Sequence, residues 1–191
     1  MTNTPTYAKH PGASRTAIGF IGIGNMGFAM MARLLAQGWS VVAHDIDPLK
    51  LTEAQSLGAT PCHSAAEVAA QCAVTFIVVV DAAQVDQVMT GDRGLWQSAQ
   101  AGDTVFLCPT LGPKDVIQFA EQTQSRGISL IDAPMSGGPV RAREGQMSLM
   151  LAGNLSVLHA HQALLDAITT HRFLIGETPG DAAKTKLANN L

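Results

Sequence analysis

Hydrophobic and polar positions follow two rhythms that alternate along the chain. Residues 17–22, 41–45, 74–80, 104–107 and 128–131 are short apolar runs of the kind that form buried parallel strands. Between them the period changes. Met26, Met30, Met31, Leu34 and Leu35 recur at helical spacing, and Gly38 supplies a stop. Asp47 followed by Pro48 is a helix start, an N-cap with proline at the first helical position, and that helix is expected to end near Gly58. Ser64 is placed to cap a short helix over residues 65–71, and residues 82–89 are also helical in pattern. Thr110 and Pro113 open a further helix that runs to about Ser125, closed by Gly127. Strands alternating with helices at this spacing predict an α/β fold with a doubly wound, mostly parallel sheet and right-handed crossovers.

Past Asp132 the texture changes. Residues 136–139 are expected to form a loop, 147–152 a strand, 155–168 a helix and 173–175 a last short strand. A new helix begins at Asp181. The expected organisation is a flexible extension over residues 1–14, one α/β domain over 15–178, and over 179–191 the start of an interdomain helix whose C-terminal helical domain is absent from the chain.

Composition narrows the function classes. Apolar residues make up 47% of the 191 positions and charged residues 14%, which is a globular balance rather than a disordered one. The formal net charge of −3 leaves no basic field to gather nucleic acid or an anionic membrane. No run is long enough to span a bilayer. The three cysteines, Cys62, Cys72 and Cys108, are odd in number and form no C-x-x-C pair, which argues against a disulfide framework or a metal site and points to a reduced, cytoplasmic setting.

Candidate chemistry starts at residues 22–27. Gly22-Ile23-Gly24-Asn25-Met26-Gly27 is a G-x-G-x-x-G that follows a predicted strand and opens a predicted helix. Asp45 ends the next strand roughly 20 positions further on, which completes the Rossmann-type dinucleotide arrangement. Gly22 permits the tight turn, Gly24 lets a pyrophosphate approach the backbone, and Gly27 lets helix and strand pack closely. The helix N-terminus offers unpaired N–H groups and partial positive charge to phosphates. Asp45 is suited to accept hydrogen bonds from ribose hydroxyls and would repel a 2′-phosphate. The expected cofactor is therefore NAD, ahead of NADP.

A second motif, Asp132-Ala133-Pro134-Met135-Ser136-Gly137-Gly138, places a hydroxyl and consecutive glycine N–H groups just beyond a strand, a concave setting for a small carboxylate. This segment resembles the substrate-binding signature of the β-hydroxyacid dehydrogenases, with Met135 where the family usually has valine. Gly145-Gln146-Met147 also fits the family pattern, and residues 79–85 lean towards its L-threonate dehydrogenase branch. The resemblance runs from Ile18 to the last residue.

The third motif lies in residues 180–190, where the family carries a catalytic lysine with an asparagine one turn on. Lys186 and Asn190 stand at i and i+4 on one helix face, whereas Lys184 would pair with Ala188. Lys186 also matches the family register counted from Gly180; Ala182 departs from it, the family usually having glycine there.

The resemblance implies NAD-dependent interconversion of a short β-hydroxyacid and its oxo acid or semialdehyde. Lys186 would be the general acid–base group, Asn190 its orienting partner, and Ser136, Gly137 and Gly138 the carboxylate site. It also implies that Val80 lies beside the cofactor and Thr110 on its nicotinamide side, although Thr110 could equally be an N-cap. Full-length relatives imply a homo-oligomer. The competing classes are an imine reductase-like enzyme and a non-catalytic NAD-binding or sensing module. Both tend to lack the lysine.

Overall fold

The computed structural model describes residues 15–190; the extension expected over residues 1–14 lies outside the described residues. The strands are β1 (Ala17–Ile21), β2 (Val41–His44), β3 (Thr60–Pro61), β4 (Cys72–Ile77), β5 (Thr104–Leu107), β6 (Ser129–Asp132), β7 (Met135–Ser136), β8 (Ser148–Ala152) and β9 (His171–Gly176). The helices are α1 (Asn25–Ala36), α2 (Pro48–Ser56), α3 (Ala65–Gln71), α4 (Ala82–Thr90), α5 (Pro113–Gln124), α6 (Gly138–Glu144), α7 (Leu155–Ala160), α8 (Gln162–Ile168) and α9 (Asp181–Asn189).

All these strands join one sheet in the order β3-β2-β1-β4-β5-β6-β8-β7, with β9 also paired to β8. Pairing is parallel from β3 through β6; β8 runs antiparallel to β6 and β7 and parallel to β9. The expected doubly wound, mostly parallel Rossmann-type sheet is therefore present. Strand order reverses at β1, which has β2 on one side and β4 on the other. That reversal opens a crevice at the carboxyl ends of these strands.

Side chains alternate across the sheet and build a core on each face. On one face Phe20, Ala43, Phe76 and Phe106 pack beneath Met30, Met31 and Leu34 of α1 and Leu164, Leu165 and Ile168 of α8. On the other, Ile21, Val42, Ile77 and Leu107 pack beneath Val68 of α3, Val85 and Met89 of α4, and Val116 and Phe119 of α5. Phe20, Phe76 and Phe106 are register partners on β1, β4 and β5, and their rings stack at 5.1 and 4.7 Å. At the opposite end of the sheet from the crevice, Arg15 grips Asp103 through both carboxylate oxygens at 2.9 and 2.7 Å.

Local capping signals formed as expected. The Asp47 side chain accepts from Leu49 N–H, and Ser64 accepts from Glu67 N–H. Four details differ. Residues 78–80 leave the sheet, so β4 is shorter at that end. The helix over 113–124 is capped by Gly112, so Thr110 is not its N-cap. The expected loop at 136–139 is instead β7 followed by α6, because Pro139 suits a first helical turn and Gly145, at φ 74°, closes a short helix. The single helix expected over 155–168 breaks into α7 and α8 at His161. The ring of His161 is buried against Phe106, and its Nε2 lies 2.9 Å from Thr104 Oγ1.

Candidate active site

Four chain segments leave the carboxyl edge of the sheet side by side. Residues 22–27 follow β1, 78–80 follow β4, 108–110 follow β5 and 135–138 follow β6. Helix α9 comes up beside them. Together they enclose a cavity of about 500 Å³.

The glycine turn is built as its spacing predicts. Gly22 has φ 86°, and a Cβ there would lie 2.5 Å from the carbonyl oxygen of Val78. Gly24 is the N-cap of α1, and no side chain caps this helix. A Cβ on Gly24 would meet no atom within 4 Å, so the backbone here faces open space. The first N–H groups of α1 have no acceptor within the helix. An uncapped helix N-terminus behind an open glycine is a fit for a diphosphate. Ile23 is fully buried, and its N–H donates to Asp45 Oδ2 at 2.7 Å, while Asp47 N–H donates to Asp45 Oδ1 at 2.9 Å. Asp45 thus ties the end of β2 to the glycine turn. A carboxylate has lone pairs beyond these two, so it remains able to accept from a sugar hydroxyl.

Gly24, Asn25, Met26 and Gly27 line the cavity with Val80, Thr110, Ser136, Gly137, Gly138, Lys186 and Asn190. Gly22, Ile23 and Asp45 stand behind or beside this wall rather than in it. Val80 is 75% exposed at the rim, held there because its N–H donates to Gln84 Oε1 while Asp81 caps α4 by accepting from Gln84 N–H.

The two lysines of α9 are separated by environment. Lys184 has a side chain 62% exposed and pairs with Asp181 at 2.9 Å. Lys186 is 8% exposed, lies on the buried face with Ala182 and Ala183, and lines the cavity. Its Nζ forms no ion pair among the described residues, so it is free to contact whatever occupies the cavity.

Sequence reasoning gave no site role to Val78, Val79, Cys108, Pro109 or Met135, which also line the cavity, although Met135 lies within the second motif. Their position directly after strand ends was the available signal, since ligands bind at that edge of such sheets. Cys108 is fully buried and burial raises its pKa, so it stays a neutral thiol. Asp132, the first residue of the second motif, is given no role of its own by sequence reasoning; its Oδ2 accepts from Gly180 N–H at 2.8 Å and Ala183 N–H at 2.9 Å.

Residues 17–176 match the family model described as the NAD-binding domain of 6-phosphogluconate dehydrogenase. The chain belongs to this family. Its curated relatives bear out the resemblance to the β-hydroxyacid dehydrogenases. It is 33% identical over 174 residues to an L-threonate dehydrogenase of Cupriavidus necator and 33% identical over 174 residues to a 2-hydroxy-3-oxopropionate reductase of Escherichia coli. Each match covers 91% of this chain and 59% of the relative, so the chain spans under two thirds of their length. A crystal structure of 3-hydroxyisobutyrate dehydrogenase from Salmonella typhimurium superposes with a TM-score of 0.85 at 29% identity, covering 91% of this chain and 60% of that one. Other structures of this fold include a complex with NADP+ at 27% identity and an imine reductase in complex with NAD+ at 18% identity. No helix among the described residues is long and apolar enough to cross a membrane.

Proposed function

We propose that this chain carries the coenzyme site and the acid–base lysine of an NAD-dependent oxidoreductase that interconverts a short β-hydroxyacid with its oxo acid or semialdehyde. The observation that carries the proposal is a single cavity walled on one side by Gly24–Gly27 and on the other by the buried Lys186. In this reading residues 15–178 are the nucleotide-binding domain, and α9 leads from it towards a further helical domain.

A bound nicotinamide would supply the hydride acceptor or donor. Ser136 and the N–H groups at Gly137 and Gly138 hold the carboxylate, which fixes the carbinol carbon relative to the coenzyme side of the cavity. Lys186 takes the hydroxyl proton in oxidation and returns it in reduction. Asn190, four positions further on at the C-cap of α9, orients the hydroxyl. Thr110 and Val80 border the coenzyme side. Most of the acceleration would come from alignment, because hydride transfer needs donor and acceptor in close contact.

Asp45 supports NAD over NADP, since a carboxylate at the end of β2 repels a 2′-phosphate. Lys186 in the cavity favours a hydroxyacid over an imine substrate and an enzyme over a sensing module. The test is a panel of 3-hydroxyisobutyrate, glycerate and threonate with each coenzyme, run on the wild type and Lys186→Ala. The expected result is NAD-dependent turnover that disappears in the variant while NAD affinity by calorimetry is kept. Undiminished turnover in Lys186→Ala, or no heat of binding with either coenzyme, would end the proposal.

A further inference from the structure

We propose that Asp132 is a positioning residue that sets the depth at which α9 presents Lys186 to the cavity; this rests on the reading of Lys186 as the acid–base group. Asp132 is the last residue of β6 and is 1% exposed. A carboxylate so deep is costly unless hydrogen-bonded. Its Oδ2 accepts from the N–H groups of Gly180 and Ala183, both at the start of α9. Helix α9 has no side-chain cap from its own N-cap residue, Gly180. Asp132 therefore does that work from 48 residues upstream of Gly180, with its charge at the favourable end of the helix.

The geometry links this cap to the lysine. Ala183 and Lys186 are three positions apart and share the buried face of α9. The apolar contact under that face is made by two small side chains: Ala182 packs with Met150, Ala152 and Ile175, and Ala183 joins the core of Leu107, Val116 and Phe119. Apolar contact of this kind holds a helix down without fixing its rotation or tilt, because it is non-directional. The two bonds to Asp132 are directional. A tilt in the first turn of α9 would be carried one turn on, to Lys186.

Asp132 also leads, through Ala133 and Pro134, straight into Met135–Gly138 on the opposite wall of the cavity. One side chain thus joins the lysine helix to the proposed carboxylate loop, by hydrogen bonds on one side and covalently on the other.

The test compares the wild type with Asp132→Asn, Asp132→Ala and Asp132→Ser. Asparagine keeps an oxygen that can accept both N–H groups; serine stays polar but is too short to reach them. Each protein is trace-labelled with acetic anhydride, and the labelling of Lys186 relative to Lys184 on the same helix is read by mass spectrometry. Lys186 is expected to react about tenfold more slowly than Lys184 in the wild type and the asparagine variant, as a locally protected group does. In the alanine and serine variants the ratio is expected to rise severalfold. NAD affinity is expected to stay within about twofold throughout, because the Gly24–Gly27 turn is not touched. Turnover in the alanine variant is expected to fall on the order of 100-fold in kcat, with the coenzyme KM kept and with asparagine restoring the rate. An unchanged labelling ratio in a folded alanine or serine variant would overturn the proposal. So would fast hydrogen exchange at the Gly180 and Ala183 amides of the wild type, a measurement that needs no variant. Turnover surviving in Lys186→Ala would sink the catalytic reading instead, and would leave the labelling result standing.

Discussion

A Cβ on Gly27 would stand 2.1 Å from the carbonyl oxygen of Gly22, so α1 can rest on the turn that precedes it only while residue 27 has no side chain. Gly24 is the opposite case, with nothing within 4 Å of the added atom. The two glycines should therefore respond differently to alanine. Gly27→Ala is expected to destabilise the domain by about 2 kcal/mol through overpacking and to lose coenzyme binding with it. Gly24→Ala is expected to leave stability within about 0.5 kcal/mol, while NAD affinity falls at least about tenfold. Urea denaturation and calorimetry on both variants check this. Wild-type affinity in Gly24→Ala would remove the diphosphate from that place.

Asp45 has a structural duty as well as its proposed sugar contact. Its Oδ2 is the acceptor for the N–H of Ile23, which is fully buried. Asp45→Ala would leave that N–H unsatisfied, at a cost of about 1–3 kcal/mol. The expected outcome is a lower melting temperature and weaker NAD binding, with no matching gain for NADP. A clean switch to NADP in that variant would show that the turn does not depend on the carboxylate.

Lys184 serves as the internal control for Lys186. Its pair with Asp181 is exposed, and such pairs contribute about 0–1 kcal/mol. Lys184→Ala is expected to change neither turnover nor NAD affinity measurably. A loss of activity there would mean that the wrong lysine has been assigned.

The stacked phenylalanines carry the centre of the sheet. Phe76 touches both Phe20 and Phe106, so Phe76→Ala opens a cavity between three strands. The expected cost is about 3–5 kcal/mol, seen as a fall in the denaturation midpoint.

Stability should also carry a pH signature from Asp132. Burial raises the pKa of this carboxyl, and the N–H groups of Ala183, Gly180 and Ala182 pull it part of the way back. A carboxyl whose folded pKa exceeds its unfolded value contributes stability that is fully present below the unfolded pKa and is lost as pH rises through the folded one. The wild type is therefore expected to lose stability relative to Asp132→Asn as pH climbs out of the ordinary carboxyl range. Parallel denaturation curves for the two proteins from acid to neutral pH check the sign.

Much of the molecule was legible because its causes are local. The caps at Asp47 and Ser64 act over two or three residues, and the glycine turn needs only its own backbone and the strand before it. Lys186 was distinguished from Lys184 by register with Asn190 and by family resemblance. Where local signals were weak or doubled, the reading slipped: Thr110 looked like a cap, and residues 136–139 looked like a loop although Pro139 and Gly145 bracket a helix.

The amino-acid order alone determined the alternation of strands and helices, the G-x-G-x-x-G turn, and the helix face shared by Lys186 and Asn190. Each follows from periodicity or from bonds within one turn of chain. Tertiary structure alone decided that Lys186 is buried while Lys184 is exposed, that Asp45 braces Ile23, and that Asp132 caps a helix 48 residues away. Burial and long-range hydrogen bonds depend on which elements the sheet brings side by side, and no spacing along the chain encodes that distance.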